Sequence, residues 1–203
     1  MRKGMEQKMR GSMHWHYFQV CRDHIKMYES AEIEIEGYRN SGQERHIIEM
    51  NISAAYSRRE RAVVIPIVFA AMCLEAFIYD YGAKKLSGRF VRDHIDRLEI
   101  PSKLVLLTEL VTGKRFPTDS QAYEGLRKLV NDRNKLVHFK SKVFKASEFQ
   151  KIDQWHEGMN KDLRSAMYNA YKTVIEVMKE LDKLHNNNTN YYQEYITDAE
   201  CHA

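Results

Sequence analysis

Apolar residues recur along most of this chain at three- and four-residue steps, the repeat of an amphipathic helix. Phe18, Cys21, Ile25, Tyr28 and Ala31 predict a first helix over about residues 15–37, broken at Asn40-Ser41-Gly42. A second pattern begins near Glu44, is expected to bend before Pro66, and becomes apolar on every face up to about Tyr81. Gly82 or Gly88 is expected to stop it. Two shorter helices, about 88–98 and 102–112, should be separated at Pro101 and ended by Gly113. Asp119 and Ser120 are good N-caps for a helix running to about Phe139. The last pattern is the most regular. Leu163, Met167, Ala170, Val174, Val177, Leu181 and Leu184 predict a helix over about 161–185, with a narrow seam suited to packing within the same chain.

With three prolines, nine glycines and almost no hairpin signals, this reads as an all-α chain. The expected architecture is a helical bundle of four to five main helices with short accessory helices. Residues 1–40 would be an N-terminal segment and first helix packed on that bundle. Residues 41–185 would form the bundle itself, and 186–203 a polar linker and tail. Tyr191, Tyr192, Tyr195 and Ile196 give the tail enough apolar surface to dock on its own bundle or on a partner. No internal repeat is visible, and 203 residues suffice for one substantial core.

Composition narrows the classes. A net charge of +4 is too mild to imply a nucleic-acid partner by itself. The local concentration is more informative: Arg127, Lys128, Arg133, Lys135, Lys140, Lys142 and Lys145 stand against the single acid Asp132. The three cysteines, Cys21, Cys73 and Cys201, form no Cys-x-x-Cys pair, which fits a reducing cytoplasm. Met1 to Met13 lacks the apolar core of a signal peptide. The apolar run from Ala62 to Leu74 is shorter than the roughly 20 residues a membrane span needs, and Glu75 closes it, so a core helix is expected and no membrane partner. His14 and His16 alternate in a way that fits no single helix face, so no metal site is expected there. Neither a Gly-rich phosphate loop nor a nucleophile elbow is present, against nucleotide and serine hydrolases.

One charge is out of place. In the predicted helix ending near Phe139, the apolar stripe runs through Leu126, Leu129 and Val130 and resumes at Leu136 and Val137. Position 133 should continue it and carries Arg. A charge on a core-facing stripe costs free energy unless it is paired or used. Arg133 is followed by Asn134 and, after three further residues, by His138. Other Arg and His residues at similar spacing (Arg10 and His16, Arg39 and His46, Arg89 and His94) lack the broken stripe and the basic flank. The structural alternative for Arg133 is an interior ion pair, with Glu75, which interrupts the all-apolar helix, as its natural partner.

The apolar central helix reading Cys73-Leu74-Glu75-Ala76-Phe77-Ile78, followed by Arg133-Asn134-x-x-x-His138, resembles the HEPN superfamily. Its motif is an Arg, commonly followed by a polar residue, with a His after four to six intervening residues. The likeness spans roughly residues 45–185 and is carried by few positions. It implies a compact helical bundle that pairs as a homodimer, alone or in a larger assembly. It also implies metal-independent cleavage of RNA, with no cofactor, in a cleft shared by the two motif helices. Toxins and anti-phage effectors belong to that superfamily, as do non-catalytic members, so an antitoxin or companion defence protein is a further expected partner.

The residue types suit that chemistry. RNA carries its own nucleophile, the 2′-hydroxyl. An imidazole such as His138 can transfer protons near neutral pH. The Arg133 guanidinium offers forked, permanently charged donors to phosphate. Asn134 would orient the imidazole or bind phosphate, and Glu75 would hold Arg133. Lys135, Lys140 and Lys142 would contact the RNA backbone. The competing expectation is a non-catalytic module of the same kind that binds RNA, a nucleotide or a protein and acts by assembly.

Overall fold

The computed structural model describes residues 11–42, 44–145, 147–188, 193 and 195. Six helices and no strands occur among them: α1 (His14–Arg39), α2 (Arg45–Lys85), α3 (Gly88–His94), α4 (Ile100–Thr112), α5 (Gln121–Val137) and α6 (Phe149–Leu184). The chain is an all-α bundle.

α2 is its axis. From Ala62 to Ala83 it buries residues on most of its faces, and α1, α3, α4, α5 and α6 all pack on it. That half carries the membrane-like composition: an 18-residue window has mean hydropathy 2.3, and 56% of it is buried inside the fold. α1 contributes Phe18, Cys21, Ile25 and Tyr28 to the same core that holds Leu126 and Leu129 of α5 and Met167, Val174 and Leu181 of α6. The α6 seam packs within the chain: five of its seven positions are fully buried, Leu163 and Leu184 partly so.

The other half of α2 differs. Between Arg45 and Arg61 only Ala55 is buried. The long-range polar contacts of this stretch run to α1: Arg58 pairs with Glu34, Arg59 pairs with Glu32 at 2.7 Å, and Arg39 donates to the Tyr56 hydroxyl.

Several boundaries depart from expectation for identifiable reasons. α2 does continue past Pro66 as expected, with the proline inside it. Gly82 does not stop α2. A Cβ there would lie 2.6 Å from a methyl group of Leu107, so the glycine lets α4 approach closely. Pro101 sits in the first turn of α4, where its missing N–H costs nothing. Gly113 ends α4 as expected, in the left-handed conformation that glycine adopts freely. α6 begins at Phe149, a dozen residues before the expected start near 161. None of its residues before Ala166 is buried, yet Phe149, Ile152, Trp155, Met159 and Leu163 already recur at three- and four-residue steps, a stripe that the expected start overlooked.

The tail docks on its own bundle at Tyr195, which is buried against Trp15 and Phe18 and hydrogen-bonded to Nδ1 of His14. Tyr191, Tyr192, Ile196 and Cys201 lie outside the described residues.

Candidate functional site

Ser120 opens α5, its hydroxyl accepting the Tyr123 backbone N–H at 3.2 Å. The helix buries Ala122, Leu126 and Leu129 and then runs off the end of the core. It closes at Val137, two residues before the expected end. His138 is the C-cap, its backbone N–H donating to the Asn134 carbonyl. Val137 is 56% and Phe139 58% exposed.

Arg133 stands on the core-facing line of the last turn and is half-buried there. Its guanidinium donates to Oδ1 of Asn134 at 3.0 Å, which turns it from the core toward the flank of the helix. Among the described residues it forms no ion pair. His138 lies five steps of about 100° further on, or about 140° around the helix. It is exposed and has no side-chain hydrogen bond among the described residues. The fold thus joins Arg133 to Asn134 directly and places the exposed His138 one turn beyond Asn134, away from Arg133.

The expected Glu75–Arg133 pair is not formed within the chain. Glu75 instead meets the buried ammonium of Lys103 at 3.3 Å, and the same Nζ reaches Asp96 at 3.2 Å. The cause lies in α4. Ile100, Lys103, Leu104 and Leu107 make one inward stripe, so Lys103 is a cation in a core position that finds its anions on α2 and after α3. Lys103 was missed in the sequence, although it carries the same signal that singled out Arg133.

The basic residues divide. Lys128 and Lys135 straddle Asp132, at 2.6 and 3.7 Å. Lys140 and Lys142 are exposed in the non-helical segment after His138. Lys142 Nζ stands 6.0 Å from the centre of the Trp155 ring.

Two grooves flank the exposed side of α5. One, of about 710 Å³, separates it from the first half of α6 and is lined by Lys128, Asn131, Lys135, Phe139, Lys142 and Trp155, among others. The second, of about 770 Å³, lies toward the start of α4 and includes Ser120, Arg127, Asn131 and Asn134. Asn131 lines both. Asn131 and Trp155 are among the groove residues that periodicity did not single out. Among the described residues no group of three or more His, Cys, Asp or Glu side chains is placed to hold a metal ion.

The lysines of these grooves can bind an anion; Arg133 and His138 stand outside both linings. No family model, no curated protein and no solved structure matches this chain, and the chemistry of the site rests on its own residues.

Proposed function

We propose that this chain is a metal-independent endoribonuclease of HEPN type, working as a two-fold dimer in the cytoplasm, as a toxin or anti-phage effector. The observation that carries the reading is Arg133. A half-buried guanidinium with only an amide oxygen for company is poorly compensated by the chain itself, and a phosphate is the ligand that would complete it. The neighbouring imidazole and the lysines past it extend the same logic to an RNA backbone.

In the proposed reaction the 2′-hydroxyl loses its proton as its oxygen attacks the adjacent phosphorus. The bond to the 5′-oxygen then breaks and that oxygen takes up a proton, leaving a 2′,3′-cyclic phosphate and a 5′-hydroxyl. Arg133 stabilises the extra negative charge on the phosphorane. His138 moves one proton, and a second copy across the two-fold axis moves the other. The dimer also answers the geometry, because one helix carries its Arg and His about 140° apart. Asn134 positions the Arg133 guanidinium, and Lys140 and Lys142 hold the backbone.

That same separation favours a second reading, a non-catalytic module that binds RNA or another anionic partner without cleaving it. Purified protein incubated with RNA in EDTA decides between them. The ribonuclease should cleave RNA but not matched DNA. His138→Ala and Arg133→Ala should each lose about 10²–10³-fold or more in rate while keeping the fold. Lys140→Ala should weaken binding in a salt-dependent manner. Expression should be toxic for the wild type and harmless for His138→Ala. Cleavage by His138→Ala at the wild-type rate, or none by the wild type under any condition, hands the chain to the second reading.

A further inference from the structure

The groove between α5 and the start of α6 contains a cluster of rings outside the core. Trp155 contacts Phe139, Phe144 and His156, with centroids 6.4, 5.7 and 4.7 Å away, and belongs to neither the core nor the layer packed on it. Phe139 is more than half exposed. Lysines surround the rings: Lys142 faces Trp155, and Lys135 and Lys128 line the opposite wall. Gly158, one helical turn beyond Trp155, also lines the groove, and a Cβ built there meets nothing within 4 Å, so space stands open beside the ring. Its volume of about 710 Å³ falls within the range of about 300–1,000 Å³ typical of small-ligand sites.

Flat rings with cations spaced around them match the two halves of a nucleotide, a base to stack and a phosphate to neutralise. A purely apolar peptide face would leave Lys128, Lys135 and Lys142 without anions beyond Asp132 and Asp162. A continuous duplex would keep its bases stacked on each other and away from Trp155. We propose that this groove seats an unpaired stretch of RNA, one base stacked on Trp155 and the adjoining phosphates on Lys135 and Lys142. The proposal rests on the ribonuclease reading and makes its substrate class single-stranded RNA. Lys135 of the groove lies about 60° around α5 from His138 and about 160° from Arg133, so a strand seated there would pass on the His138 side of the helix.

The test uses a fluorescein-labelled 2′-O-methyl oligonucleotide, which cannot be cleaved because it lacks the free hydroxyl. Binding to the full chain is followed by anisotropy, so its outcome is independent of catalysis. Trp155→Ala should weaken single-strand binding about 5- to 150-fold, and Trp155→Phe should restore most of it. Gly158→Leu, which fills the groove from an open position, should weaken it as well. Lys142→Ala should lower the slope of log affinity against log salt by about one. A matched duplex should bind more weakly and be indifferent to Trp155. The proposal is overturned if folded Trp155→Ala and Gly158→Leu both bind like the wild type, or if the wild type binds no single strand. It is equally overturned if Trp155→Ala merely turns a dimer into a monomer by light scattering, which would assign the groove to a second copy. Binding as expected with no cleavage of ordinary RNA would sink the ribonuclease alone.

Discussion

Lys103 offers a quantitative test of how charge is held in this core. Its side chain is 5% exposed, while those of its partners Glu75 and Asp96 are 42% and 47% exposed. At 3.2–3.3 Å, each carboxylate attracts the ammonium by a gross ~5 kcal/mol at an effective dielectric near 20. Burying the ammonium costs several kcal/mol in return. Either carboxylate alone offsets most of that cost, so Glu75→Ala or Asp96→Ala should each lose only about 1 kcal/mol. Removing both strands the cation. The ammonium is then left in the core without a counter-charge. The double variant should therefore lose about 3–5 kcal/mol, above the sum of the single losses. Lys103→Met should be nearly neutral, since both acids are already half-solvated. Urea denaturation followed by circular dichroism measures all four. Losses that add to within about 0.5 kcal/mol, or a Lys103→Met as damaging as the double variant, would refute the reasoning.

Two glycines should respond with opposite sign in thermal melts. Gly158→Ala, in open helix surface, should stabilise by about 1 kcal/mol, while Gly125→Ala should destabilise by about 1–3 kcal/mol because its Cβ would lie 2.7 Å from the buried Thr173 hydroxyl. Burial, with Lys85 and Lys114 nearby, holds the His185 pKa below its ordinary 6.5, and Asp182 opposes them only in part. The unfolded chain then binds the proton more readily, so this contribution is full above about pH 6.5 and is lost as pH falls through the lower folded value. His185→Gln should flatten that acid limb of a stability–pH curve. The thiol of Cys73 is pushed up to about 12 by burial, and burial raises that of Cys21 still further. Neither should be alkylated at pH 8 until the chain unfolds, as peptide mapping after timed labelling would show.

The helices were legible where a core pays out a regular apolar signal. The stripe of α6 from Met167 to Leu181, the cap at Ser120 and the stop at Gly113 stand in the fold as the sequence implies. The start of α6 was set too late although its stripe is legible: Phe149, Ile152, Trp155, Met159 and Leu163 keep the same spacing on turns that stand outside the core. For the site, the misplaced charge at Arg133 could be found from spacing, but its neighbour could not. Glu75 and Lys103 are both charges in apolar helices, and which cation meets which anion depends on how α4 docks on α2. Trp155 was unreadable for a related reason: nothing in its local sequence separates a ring lining an open groove from one filling a core.

α2 is one continuous rod, 41 residues or about 60 Å long, yet its two ends cohere by different forces. The apolar end gains strength from water's exclusion, which salt hardly diminishes. The polar end, from Arg45 to Arg61, buries only Ala55 and adds to it charges exchanged with α1, which added electrolyte screens within a Debye length of about 10 Å at 0.1 M. Ionic strength should therefore tune one end of a single helix without touching the other. Amide hydrogens near Arg58 should exchange faster as salt is raised, through a partial opening that leaves those near Cys73 protected until the whole chain unfolds. The unit that opens first would then be half a helix, with its boundary close to Ala62.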